Sequence, residues 1–198
     1  MVGLIAIVDL GVGNFANVEK ALGGKVTREP GEIRGADKIV LPGVGNFGSA
    51  SESLKPIRNC LREKIEKGTP FLGICLGMQL LFPGSSEDEG RGLGLIPGKV
   101  TNLPKEAAPH IGWNQVFPVD DTPLLKGIRS GSYFYFVHSY RVCPDSAEVV
   151  TGTTEYVVRN EIREFPSSIR DKNVYGVQFH PEKSSDNGLR IMQNFKEL

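Results

Sequence analysis

The stretch from Thr69 to Phe82, TPFLGICLGMQLLF, constrains this chain more than any other. Residues 70–75 are a short apolar run that ends on Cys75, with Gly73 and Gly77 two positions to either side. Beyond Cys75 the apolar residues switch to helical spacing. A buried strand, then G-x-C-x-G, then a helix start, is the context of a nucleophile elbow. The tight turn pushes its central residue out of the top of a sheet. Glycines flank it because the strand and helix backbones come too close for a Cβ. The cysteine then stands at a helix N-terminus, whose dipole favours the thiolate. A chain with 24 glycines and 3 cysteines in 198 residues meets this pattern by accident about once in twenty-five sequences. The alternative is a buried structural cysteine, the fate of most cysteines; the change of period at Cys75 argues against it.

The rest of the chain supplies a sheet for such a turn. Residues 3–9 (GLIAIVD) and 38–41 (KIVL) read as short buried strands, each followed by a glycine-rich loop. Residues 17–22 are helical in pattern. The segment 47–67 reads as one long helix, with Leu54, Ile57, Leu61 and Ile65 on one stripe and Gly68 as its stop. Strand, helix, strand in this order predicts a parallel sheet with crossover helices. PGSSEDEGRG, after Phe82, is a polar, turn-rich loop. Short β-type runs follow: KVTNL, NQVFPV, SYFYFVHSYRV, EVVTGTT and EYVVR, then VYGVQF at 174–179 and a C-terminal helix at 186–198. No repeat or low-complexity linker interrupts the chain, which reads as one domain, 1–198.

Composition excludes several classes. Lys plus Arg and Asp plus Glu both number 23, so the excess of positive charge that phosphate backbones require is missing. The apolar N-terminal run is broken by Asp9 and has no basic flank, so neither a signal peptide nor a membrane span is expected. Cys60, Cys75 and Cys143 are few, odd in number and far apart, which suggests reduced thiols in the cytoplasm. No spacing suits a metal site, and no cofactor is implied.

A thiol nucleophile needs a base, and the base an orienting group. His110, His138 and His180 are the histidines. His180 stands two residues before Glu182, and in an extended segment i and i+2 project to the same side. His-Pro-Glu can thus set imidazole beside carboxylate, with Pro181 keeping the segment extended. The tripeptide alone is more often a solvent-exposed turn at the end of a strand. Oxyanion donors are expected from the Leu76 N–H and from Pro42-Gly43-Val44-Gly45, a loop at the same sheet edge. In SYFYFVHSY, Tyr133, Tyr135, Val137 and Ser139 share one face, and Phe134, Phe136, His138 and Tyr140 the other. Both faces are largely apolar, so both are expected to be covered, one by the core.

Together these pieces resemble class I (triad type) glutamine amidotransferases over nearly the whole chain. PGVG, GICLGMQ and VYGVQFHPEKS carry the resemblance. DLGVGN at 9–14, PHIGWN at 109–114, GSYFYFVHSY at 131–140 and HPEKSSDNG at 180–188 are similar to the glutaminase subunits of imidazole glycerol phosphate synthases, which serve histidine biosynthesis. The resemblance implies a flavodoxin-like, mostly parallel open sheet flanked by helices, with additional antiparallel β structure. It implies a triad of Cys75, His180 and Glu182, and an oxyanion loop at Gly43, Val44 and Gly45. Glutamine as substrate falls to Gln79, Glu87, Ser139 and Tyr140. Docking on a (β/α)₈-barrel cyclase subunit, in a heterodimer that passes ammonia, falls to Asn14, Trp113, Tyr135, His138 and Lys183. Glutaminase activity is expected to depend on that partner, through a turn of the 43–45 loop.

The chain departs from the family pattern at Leu10 for an aromatic, at Asn46 for a small residue, and at Pro83-Gly84 where acidic residues are common. The last predicts that the elbow helix ends at Phe82, and it loosens the expected position of Glu87. Two rival readings remain at this point: a free-standing cysteine hydrolase, and a silent interaction subunit that keeps only the fold.

Overall fold

The computed structural model describes residues 3–11, 13, 15–119 and 121–198. The amino-terminal half alternates strand and helix: β1 (Ile5–Val8), α1 (Phe15–Leu22), β2 (Lys25–Thr27), α2 (Pro30–Gly35) and β3 (Lys38–Gly43). Then come α3 (Phe47–Leu54), α4 (Arg58–Glu66), β4 (Phe71–Cys75) and α5 (Leu76–Gln79). The second half is mostly strand: β5 (Gly98–Asn102), β6 (His110–Pro118), β7 (Ser132–His138), β8 (Tyr140–Pro144), β9 (Val150–Val158), β10 (Glu161–Asp171) and β11 (Val174–Val177). Helix α6 (Ser185–Glu197) closes the chain.

Among the described residues, nine strands form one sheet in the order β2-β1-β3-β4-β11-β10-β9-β6-β7, and β5 pairs with β8 in a second, antiparallel sheet. The first five strands of that order are parallel and the pairings beyond β11 are antiparallel. Parallel strands buried on both faces explain why β1, β3 and β4 read as continuous apolar runs. Their side chains divide by period two. Ala6, Val8, Ile39, Leu41 and Phe71 pack with Ile33, Leu54, Leu61 and Ile65 of α2, α3 and α4. Ile5, Ile7, Val40, Leu72 and Ile74 pack with Val18 and Leu22 of α1 and with Ile191, Met192 and Phe195 of α6 on the other face.

The expected helix over 47–67 is two helices. Pro56 lacks an N–H and its ring crowds the preceding turn, so α3 closes at Leu54 and α4 restarts at Arg58. SYFYFVHSYRV likewise divides at Ser139: β7 stays in the large sheet while β8 leaves to pair with β5. EVVTGTT and EYVVR belong to the single strand β9, and β10, β2 and α2 are elements that the sequence pattern did not announce. No helix among the described residues is long and apolar enough to cross a membrane.

Candidate active site

Cys75 ends β4 with φ 54° and ψ −109°, a conformation that costs a non-glycine residue about 1–3 kcal/mol. Its neighbours explain how the turn closes. A Cβ on Gly73 would meet the Gly77 carbonyl oxygen at 2.5 Å, and one on Gly77 would run into the Leu41 carbonyl oxygen. Strand, turn and α5 are thus in backbone contact, and only glycine fits at both points. The helix that follows is shorter than expected. α5 ends at Gln79, and Leu81 and Phe82 close i−3 turns onto Met78 and Gln79 before Pro83.

β11 lies beside β4 in parallel register, Val177 opposite Ile74, so the residues after both strands emerge at one sheet edge. There His180 Nδ1 lies 2.8 Å from Glu182 Oε1, with both side chains nearly fully buried. The segment is not extended, as the sequence reading expected. Residues Pro181–Lys183 form a 3₁₀ turn, and the turn carries Glu182 back against the ring. Burial would lower the His180 pKa, but the Cys75 sulfur and the Glu182 carboxylate outweigh it and push it up to about 10. His180 Nε2 is buried without an aligned hydrogen-bond partner. The sulfur also sits 3.9 Å from the Val137 carbonyl oxygen and receives the Gln178 amide N–H at 3.6 Å.

A cavity of about 240 Å³ opens over Cys75, lined by Val44, Gly45, Leu76, Gln79, Val137, His138, Ser139 and Tyr140. That is below the roughly 300–1,000 Å³ of drug-sized sites and suits a ligand of amino-acid size. Gly43 ends β3 opposite Cys75, and a Cβ there would lie 3.2 Å from the Leu76 side chain, so the 43–45 loop abuts the elbow. The residue after the loop, Asn46, caps α3 by accepting the Ser49 N–H at 2.9 Å, which gives this departure a structural use. Leu10 is buried in the core.

Glu87 stands outside the cavity lining. Its Oε2 accepts the Phe47 N–H, the first of α3, at 2.8 Å. Burial raises its pKa, the Phe47 bond opposes that, and Asp88 adds to the rise.

The expected docking residues separate. Trp113 and Tyr135 meet edge to face at 6.2 Å, and Lys183 lies over the Tyr135 ring at 5.7 Å. Trp113 is 52 % exposed. This stack adjoins the His180 segment, because the Tyr135 carbonyl oxygen accepts the His180 N–H at 2.9 Å. His138 is not part of it. Strand alternation turns it to the other face of β7, where it is buried and lines the cavity. Asn14 falls outside the described residues.

Gln178 was absent from the sequence reading. Its signal was available: one polar residue inside the buried run VYGVQF, two positions before His180.

A strained cysteine and a buried histidine–carboxylate pair, at one edge of a doubly flanked parallel sheet, are groups that can carry thiol-dependent acyl transfer. The family description Glutamine amidotransferase class-I matches residues 19–198, and the chain belongs to this family. Similar relatives are the imidazole glycerol phosphate synthase subunits HisH of Pyrococcus furiosus, at 55 % identity over 98 % of each chain, and Thermococcus kodakarensis, at 53 % over 98 % of this chain and 100 % of that one. The corresponding subunit of Methanocaldococcus jannaschii is 50 % identical over 98 % and 100 %. Among solved structures, a glutamine amidotransferase aligns with TM-score 0.75 at 18 % identity over 99 % and 100 % of the two chains. PurLQS from Thermotoga maritima aligns at 0.76 and 18 % over 98 % of each, so the fold is shared well beyond sequence likeness.

Proposed function

We propose that this chain is the glutaminase subunit of an imidazole glycerol phosphate synthase. Cys75 is its nucleophile, His180 its general acid and base, and Glu182 the group that orients His180. The Cys75 thiolate attacks the side-chain amide carbon of glutamine. The oxyanion takes N–H groups of Leu76 and of the Gly43-Val44-Gly45 loop. The His180 imidazolium gives its proton to the leaving nitrogen, and ammonia departs from a thioester. Neutral His180 then removes a proton from water, which attacks the thioester to give glutamate and free Cys75. Gln79, Ser139 and Tyr140 hold the amino-acid end of the substrate. Glu87 acts on substrate through the α3 N-terminus, since its carboxylate is engaged there.

The single observation behind this reading is the pairing of a strained Cys75 with the buried His180–Glu182 couple at one sheet edge. The 45–55 % identity to HisH subunits over nearly the whole chain supports the choice of substrate. The partner is a cyclase subunit bound as a heterodimer, to which ammonia is passed. The Trp113–Tyr135–Lys183 stack supplies the docking face; Asn14, expected in the same role, lies outside the described residues. The setting is cytoplasmic and the chain one domain.

Steady-state assays of the complex test this. Cys75→Ala should abolish glutamine hydrolysis while the cyclase still works with added ammonium salt. Retained glutamine turnover in that variant would overturn the assignment.

A further inference from the structure

His110, His138 and Asn114 form a hydrogen-bonded series that the proposed reaction does not use. Its polarity can be worked out from one end. The Tyr140 carbonyl oxygen only accepts, so His138 Nδ1, 2.8 Å away, carries the proton. Burial lowers the His138 pKa to about 3, against the Tyr140 bond, and the charges of His110 and His180 add to the lowering. The ring is therefore neutral, and its Nε2 accepts. His110 Nδ1, at 3.0 Å, must then donate. Burial also keeps His110 neutral, so its Nε2 accepts the Asn114 amide at 3.0 Å. The second amide hydrogen of Asn114 goes to the Glu155 carbonyl at 2.8 Å, and its oxygen takes the Gln115 N–H at 2.7 Å, so the amide cannot flip.

Every link is determined, and the series ends at the cavity. The Tyr140 oxygen accepts a second bond from Gln79 Nε2 at 3.3 Å; that nitrogen also lies 3.2 Å from Gln178 Oε1, and Gln178 donates to the Cys75 sulfur. The wall at 138–140 needs such a tether, because the chain leaves the large sheet between β7 and β8 there. Both His138 nitrogens are engaged, so it can serve neither as base nor as a hydrogen-bond partner for substrate.

We propose that His110 and Asn114 are positioning residues: through His138 they fix the Tyr140 side of the glutamine cavity from strand β6, whose outer face carries Trp113. The proposal rests on the glutaminase reading above. It places substrate binding and the docking strand on one tether, two residues of which never touch substrate.

The test compares the wild type with His110→Leu and His110→Asn, each in complex with its cyclase. Losing one link of about 0.5–1.5 kcal/mol should raise KM for glutamine by roughly twofold to twelvefold in His110→Leu, with kcat little changed. His110→Asn, which keeps a donor near the Nδ1 position, should restore KM. Nitrogen-15 spectra of the wild-type chain should show His138 as the neutral Nδ1–H tautomer, and His110→Leu should alter that signal. If His110→Leu fails to fold, Asn114→Leu at its half-buried site carries the same expectation. An unchanged KM in the leucine variants, or an Nε2–H tautomer at His138, overturns the positioning role. Absence of glutamine turnover by the wild-type complex instead overturns the glutaminase reading, and this proposal with it.

Discussion

At the scale of single residues, the elbow is governed by what cannot be added to it. The would-be Cβ of Gly77 meets a main-chain oxygen of β3, which has no freedom to retreat. Gly77→Ala should therefore cost about 3 kcal/mol or more, lowering the melting temperature by roughly 6–12 °C. Gly31, with open space around its Cα, is the control for calorimetry. The strain at Cys75 makes a second prediction. Cys75→Gly and Cys75→Ala should both be inactive, but the glycine variant should melt higher, because only glycine holds φ 54° without penalty. An alanine variant as stable as the glycine one would mean that the turn stores no strain. The cysteine and its two glycines were legible in sequence because their chemistry is local. The route from His180 to Glu182 was not: i and i+2 meet across a 3₁₀ turn as well as along a strand, and the tripeptide does not choose between them.

At the scale of elements, helix α3 ties the 43–45 loop to the rest of the molecule. Asn46 and Glu87 satisfy two N–H groups of its first turn, directly after Gly45. Asn46→Ala should cost about 1 kcal/mol. Glu87→Ala should cost a similar amount and raise KM for glutamine, while Glu87→Gln, still an acceptor, should recover most of the stability. Equal KM values across this set would detach the α3 cap from the site. Sequence periodicity saw α3 and α4 as one helix, because the apolar stripe runs through Pro56 without a break in phase. It missed β10 for the opposite reason. EIREFPSSIRD is charged at its start and holds Pro166, which the strand accommodates at a register shift beside β9. The hairpin joining them turns on Arg159 and Asn160, both at positive φ, without the glycine that usually marks such a turn.

At the scale of the whole molecule, two histidines set opposite pH limits on stability. His180 is charged in the fold up to about pH 10, against 6.5 for the ordinary side chain. Its contribution is full below pH 6.5 and is lost as pH rises through 10. His138 stays neutral down to about pH 3. The unfolded chain takes up that proton first, so stability falls as pH drops from 6.5 toward 3. Melting temperatures from pH 4 to 10.5 should show both limbs; His180→Gln should flatten the alkaline one and, by removing a charge that depresses the His138 pKa, soften the acid one slightly. On the outer surface, Trp113→Ala should weaken association with the cyclase by about 2 kcal/mol, measurable by titration calorimetry.

The strand order has a consequence for how the protein is made. β11 fills the slot between β4 and β10, and it leaves the ribosome after both. A growing chain shows its sulfur early, but the imidazole arrives only with residues 174–182, the same piece that closes the gap in the sheet. On the proposed mechanism, a nascent polypeptide that stops short of β11 carries a nucleophile without its base and cannot release ammonia.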